Sequence, residues 1–247
     1  MNFKIIEHFG QYLLLLRSMI ARPENLRMYW KETLRQMNDI GVGSLIIVTL
    51  IAVFIGAVTA VQFAYQLSDS FIPIYYVGYI VRDTMLIELA PTITCLVLAG
   101  KVGSNMAAEI GGMRQKEQID ALEIMGVNTS AYLVMPKIIA ALAVIPLLVI
   151  FAAFLGIIGG YIAATASGYV TGASFEKGLH FLYEPYYVFM MMVKAYVFAF
   201  ILTSVSCYQG YYVKGGSIEL GQASTAAVVY SDILILVSDY LVALLMT

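Results

Sequence analysis

Apolar residues in this chain come in long blocks and do not alternate with polar ones. Gly43–Leu67, Ile74–Ala99, about Tyr132–Ala166, Tyr187–Val213 and Ala226–Met246 are each almost wholly hydrophobic. Each reaches the ~20 residues that a helix needs to cross the hydrocarbon of a bilayer. The third block is too long for one upright span at about 1.5 Å per residue, so its start lies at the interface or the span tilts. Pro136 and Pro146 are candidate kinks within it. The intervals between blocks are turn-like or polar: Ser68–Pro73, Gly100–Gly126, Ser167–Tyr186 and the Gly-rich Lys214–Thr225. The pattern predicts an all-α integral membrane protein with five transmembrane helices. Leu13–Leu16 is too short an apolar run to add a sixth.

Two segments outside the blocks carry helical periodicity of a different kind. After Pro23, Leu26, Tyr29, Trp30, Thr33, Leu34 and Met37 recur at i, i+3/i+4 spacing, while Arg27, Lys31 and Arg35 stack at i, i+4. This predicts an N-terminal interfacial amphipathic helix, with Arg27, Trp30, Lys31 and Arg35 at the membrane interface. The alternative is an ordinary helix packed on the protein's own bundle. In Met113–Met125, Ile119, Leu122 and Met125 share one side with Ala121, and Lys116, Glu117, Asp120 and Glu123 share the other. Lys116 and Asp120 have the spacing of an ion pair, and Gly111-Gly112 is expected to break or kink the preceding helix. Such a helix lies on the bilayer surface or presents a face to a soluble partner. The chain thus divides into an interfacial segment (1–42), spans one and two (43–100), a polar segment (101–131) and spans three to five (132–247).

Composition agrees with the blocks. Hydrophobic residues make up 61% and charged residues 12%, against about one quarter charged in soluble domains. A net charge of −2 gives no reason to expect nucleic acid. Cys95 and Cys207 both fall in apolar blocks and read as small core residues. No small-residue cleavage site follows the apolar run near the N terminus, so no cleavable signal peptide is expected. Lysine and arginine set the orientation. Lys4, Arg17, Arg22, Arg27, Lys31 and Arg35 precede the first block; Lys101, Arg114, Lys116 and Lys137 follow the second; Lys214 precedes the fifth. The other two connections hold only Lys177. The N terminus, the polar segment and the Gly-rich turn are therefore expected in the cytoplasm, and the C terminus on the far side.

The charges inside the blocks are the candidate functional residues. Arg82, Asp83, Glu88, Lys194, Asp232 and Asp239 all fall within expected spans. A charge near the bilayer centre costs roughly 2.5–3.5 kcal/mol on insertion scales, so such groups face a cavity or a partner helix. Groups near span ends can snorkel instead, and Arg82 and Asp83 can pair with each other. No nucleotide-binding motif is visible, His8 and His180 stand alone, and no His-Glu-x-x-His helix occurs. The Gly-rich turn lacks the Gly-Lys-Ser/Thr ending of a P-loop.

The polar segment also carries a resemblance. Ala-Glu-Ile-Gly-x-Met-Arg-x-x-Glu-Gln-Ile-Asp-Ala-Leu-x-x-Met-Gly, from Ala108 to Gly126, followed by Leu133-Val134-x-Pro136-Lys137, resembles the MlaE/YrbE-type permeases. These are membrane subunits of ABC systems that move phospholipids. Gly215 to Thr225, leading into Ala227–Ser231, is similar to the second motif of that family. The resemblance covers nearly the whole chain as one permease domain. It implies a homodimer in the bacterial inner membrane, two ATPase subunits that bind the ATP and Mg, a periplasmic MCE-domain lipid-binding protein, and optionally a small cytoplasmic STAS-type subunit. No cofactor is expected in this chain. The resemblance also implies roles. Glu109, Arg114, Glu117, Gln118, Asp120 and Glu123 would form the ATPase-coupling segment. Glu88, Lys194 and Asp239, with Arg82, would line a phospholipid path. Ile87 stands where the family usually has arginine before Glu88, which leaves open whether Arg82 replaces it. Two other readings stand beside this one: an ion- or proton-coupled secondary transporter acting alone, and a membrane scaffold.

Overall fold

The computed structural model describes residues 2–19, 26–68 and 71–246. Pro23, and Asp69 and Ser70 of the first expected turn, lie outside the described residues. Every regular element among the described residues is helical: α1 (Asn2–Met19), α2 (Leu26–Ser68), α3 (Tyr76–Thr84), α4 (Ala90–Leu98), α5 (Ser104–Gln115), α6 (Gln118–Ile124), α7 (Thr129–Leu133), α8 (Met135–Ala166), α9 (Gly172–His180), α10 (Tyr186–Tyr211) and α11 (Ser217–Met246). π-helical turns at Met85–Leu89 and Ala99–Gly103 join α3, α4 and α5 into one helical run. Five stretches are long and apolar enough to cross a membrane: Arg27–Ser68, Tyr76–Gln115, Thr129–Ala166, Tyr186–Tyr211 and Ser217–Met246. The protein is an all-α, multi-pass integral membrane protein.

The element boundaries differ from the sequence pattern in four places. The basic amphipathic segment and the first span form a single helix, α2, of 43 residues. At about 1.5 Å per residue that is roughly 65 Å, twice the hydrocarbon thickness; no proline interrupts it. Gly111-Gly112 does not break α5. A Cβ on Gly111 would stand 2.5 Å from Leu220 Cδ1, so this glycine serves close packing. The break comes instead at Glu117, which takes a left-handed conformation (φ 57°). Finally, Ser217–Thr225 belongs to α11 and not to a turn: the Glu219 carboxylate accepts the backbone N–H of Gly216 at 2.7 Å and caps the helix start.

Packing groups the chain into two compact units. The first comprises the described residues up to Gly43, Leu98–Val144 and Ala199–Val237; the second comprises Ser44–Val97, Ile145–Phe198 and the described residues from Ser238. In lipid, helices gain little by hiding apolar surface from water, so small residues that allow close contact do much of the specifying. In the first unit, a Cβ on Gly210 would lie 2.6 Å from the Ala107 carbonyl oxygen, and one on Gly103 2.7 Å from Ser206 Oγ. Gly103, Ala107 and Gly111 thus form a small-residue stripe inside the polar segment. In the second unit, a Cβ on Gly56 would lie 1.9 Å from the Gly156 oxygen, and one on Gly159 2.4 Å from the Val53 oxygen. The Gly156-x-x-x-Gly160 pair is therefore the crossing point of α2 and α8. α3 and α9 meet in the same way: a Cβ on Gly178 would lie 2.0 Å from the Tyr75 oxygen.

Candidate functional site: a charged cluster in an apolar unit

Pro91 has no backbone N–H, so the Ile87 carbonyl lacks its usual i+4 donor. The helical run responds with the π turn Met85–Leu89, in which the Ala90 N–H reaches the Met85 oxygen. Glu88 sits on that turn. Its Oε2 accepts a hydrogen bond from Lys194 Nζ of α10 at 2.7 Å. The same ammonium lies 2.6 Å from Asp239 Oδ1 of α11. Asp239 Oδ2 accepts from Thr92 Oγ1 of α4 at 3.0 Å. All four residues belong to the second unit. Lys194 is fully buried and the Asp239 side chain is 9% exposed, but the Glu88 side chain is 47% exposed. A buried ammonium is thus held between two carboxylates, one sealed in and one open.

This arrangement fixes what each group is able to do. The Lys194 ammonium is already spent on two oxygens of opposite charge. With one cation against two carboxylates, the ionised cluster is formally −1, and its open member is acidic. Alone, this cluster therefore offers a phosphate no free cation. A basic group reaching Glu88, or a change in the Lys194 pairing, would alter that balance. The sequence brought Glu88, Lys194 and Asp239 forward as separate intramembrane charges; Thr92 was missed. Its signal was available, because Thr92 is four residues after Glu88 and so on the same face of a helix.

Arg82 and Asp83 pair with each other, Arg82 Nη2 to Asp83 Oδ1 at 2.7 Å. Arg82 also donates to the carbonyls of Leu179 (2.6 Å), Phe181 (3.0 Å) and Leu182 (3.3 Å), and its guanidinium faces the rings of Tyr79 and Tyr183. The side chain anchors the end of α9 to α3. Its hydrogen-bond and ion-pair partners are these groups, and Glu88 is not among them. Asp232 sits in α11 of the first unit, and its Oδ1 is buried with no hydrogen-bond partner among the described residues.

The polar segment is tied together in the first unit. Arg114 Nη1 lies 2.8 Å from Asp120 Oδ1 and 3.7 Å from Glu123 Oε1. Glu123 Oε1 also accepts from Tyr211 Oη and Thr129 Oγ1, each at 3.1 Å, and those two hydroxyls meet at 2.7 Å. Asp120 therefore pairs with Arg114, where sequence spacing had favoured Lys116; the break at Glu117 separates Lys116 from the helix that carries Asp120. Glu109 forms an ion pair with Lys137, which is buried. Of the six residues read as a coupling set, four are thus engaged within this chain. Glu117 and Gln118 remain exposed, beside Ile124 (88% exposed) and Met125 (69%). On α2, Arg27, Trp30, Lys31, Leu34 and Arg35 are exposed, while Thr33, Gln36 and Ile40 form the buried face.

The chain is similar to known proteins over most of its length. A family model described as permease MlaE matches residues 33–245. A probable ABC transporter permease protein of Rickettsia bellii is 37% identical over 237 residues, covering 96% of this chain and 90% of the relative. A probable ABC transporter permease protein of a Synechocystis species is 33% identical, covering 89% and 83%. The intermembrane phospholipid transport system permease protein MlaE of Haemophilus influenzae is 30% identical over 234 residues, covering 94% and 89%.

Proposed function

This chain belongs to the MlaE permease family and is a permease subunit of an ABC transporter, and from that premise we propose that it moves phospholipids between the inner and outer membranes of a bacterium. The Haemophilus relative bears the name of that activity. The observation that carries the reading is the Glu88–Lys194–Asp239 cluster: a half-exposed carboxylate inside a span is tenable only where it faces a polar cavity or a partner. An amphipathic lipid needs such a cavity, apolar for its tails and polar for its headgroup. In this reading two copies of the chain share the path, and Glu88, with Lys194 and Asp239 behind it, gates it. Arg82, bonded to Asp83 and to the carbonyls at the end of α9, stands outside the path in this reading.

The energy comes from two ATPase subunits that bind ATP and Mg, with a periplasmic MCE-domain protein as the lipid carrier and a small STAS-type subunit as an optional component. The N terminus and the polar segment face the cytoplasm, by the distribution of lysine and arginine. The polar segment docks the ATPase. Arg114, Asp120, Glu123 and Glu109 shape that segment through their internal pairs, and Glu117, Gln118, Ile124 and Met125 make the contact. Large apolar side chains exposed outside the lipid need a protein to cover them.

The test is co-expression of the permease with its ATPase. Replacing Ile124 and Met125 with aspartate is expected to abolish co-purification of the ATPase while the permease still inserts and stays monodisperse. An unchanged complex would remove the docking assignment. Lipid transport that proceeds without the ATPase and collapses with the proton gradient would overturn the reading as a whole in favour of a secondary transporter.

A further inference from the structure

The first unit contains a cleft of about 690 Å³ that none of the roles above uses. Its volume falls in the range of small-molecule sites, roughly 300–1,000 Å³. α2 contributes Gln36 and Asp39, the second π turn contributes Lys101, α5 contributes Ser104 and Asn105, and α11 contributes Ser224. Its depth in the membrane follows from sequence. Gln36 and Asp39 come just before the first apolar block, and Lys101 comes just after the second. Two consecutive spans run in opposite directions, so both polar edges come to the same side of the bilayer, at headgroup level.

The polar inventory is selective. The π turn brings Lys101 Nζ to the Gly43 carbonyl, which occupies one of the three protons of the ammonium. Gln36 is buried and gives one amide proton to Glu32 at 2.9 Å, which leaves the other. Asn105 has no hydrogen-bond partner among the described residues. Ser104 and Ser224 give their protons to the carbonyls of Gly100 and Leu220, and so present only lone pairs. The cleft also holds one carboxylate, Asp39, one helical turn after Gln36 on α2 and with Arg35 4.0 Å away. A cation with amide donors and a separate carboxylate in one cleft match a group that carries both charges. We propose that this cleft binds the headgroup of an aminophospholipid from the adjoining leaflet. Lys101, Asn105 and Gln36 hold the phosphodiester, and Asp39 holds the headgroup ammonium.

The site does not depend on what the protein transports, so it is tested without ATP or partners. The full-length permease is placed in nanodiscs of mixed phosphatidylethanolamine and phosphatidylglycerol, released, and its retained lipid is counted by native mass spectrometry. Lys101→Ala removes a charge-assisted hydrogen bond and is expected to lower retention of both lipids about tenfold, with Lys101→Arg restoring it. Asp39→Asn is expected to erase the preference for the ethanolamine lipid and to spare phosphatidylglycerol. Should Lys101→Ala not be recovered from the membrane, Asn105→Leu carries the same test and is expected to lower retention. Retention unchanged in the recovered variants overturns the proposal. So does equal displacement by free glycerophosphoethanolamine, which would make a soluble phosphodiester the ligand. A disulfide between two copies of an Asn105→Cys variant in the intact membrane would show that a second copy fills the cleft, and would overturn it as well.

Discussion

Lys194 is the residue whose removal separates a structural lock from a phosphate-attracting group. Its ammonium is fully buried and faces Glu88 at 2.7 Å and Asp239 at 2.6 Å. Lys194→Met keeps the length of the side chain and deletes the charge. Asp239, 9% exposed, then loses its cation and keeps the Thr92 hydroxyl as a donor. Breaking a buried pair from one side costs about 3–5 kcal/mol, because an uncompensated charge is left behind. Glu88 can turn toward its open side, so its share is small. By the usual conversion for chains of this size, the loss is on the order of 10 °C in melting temperature. Adding Asp239→Asn removes the orphaned charge, so the double variant is expected to be more stable than Lys194→Met alone, with a coupling of roughly 1–3 kcal/mol. Glu88→Gln leaves the Lys194–Asp239 pair in place and is expected to be nearly neutral for stability while impairing lipid photocrosslinking. The assay is thermal unfolding of the purified permease in one detergent, with lipid photocrosslinking alongside. If the losses of Lys194→Met and Asp239→Asn simply add in the double variant, these two groups do not act as a unit. If Lys194→Met melts like wild type yet loses lipid, the ammonium serves the lipid directly and the lock is refuted.

Two further outcomes follow from packing and exposure. Gly56→Val forces a Cβ to within 1.9 Å of the Gly156 oxygen and is expected to cost more than about 3 kcal/mol, since backbone cannot yield as side chains do. Gly221→Ala meets open space on α11 and is expected to be neutral or stabilising by up to about 1 kcal/mol; thermal unfolding reads both, and equal behaviour of the two would contradict the crossing of α2 and α8. Trp30, the sole tryptophan, is 58% exposed on the basic part of α2, so lipids brominated near the headgroup are expected to quench its fluorescence; indifference to such lipids would place α2 here against protein.

The apolar blocks alone determined the fold class, the number of spans and most of their limits, because a helix must satisfy its own backbone in lipid and about 20 apolar residues announce it. They also brought forward Arg82, Asp83, Glu88, Lys194, Asp232 and Asp239, since a charge within such a block stands out without any knowledge of its neighbours. Partners were not legible. Glu88 and Lys194 are 106 residues apart, and only the packing of α10 and α11 against the π turn brings three helices to one ammonium. The polar segment shows the same division. Its helical period was readable, but periodicity assumes that the helix continues, and the left-handed turn at Glu117 moved Lys116 out of reach of Asp120. Asp120 and Glu123 were therefore read with Lys116 and Glu117 as one polar face, when Asp120 pairs with Arg114 and Glu123, still exposed, accepts from Tyr211 and Thr129. Gly111 was read as a breaker from intrinsic propensity, which applies to a helix in isolation. Against Leu220 its missing side chain is what lets the helices approach. Local sequence sets what a segment is able to form on its own; which of its polar groups stay free is decided by distant residues, and only the tertiary structure contains them.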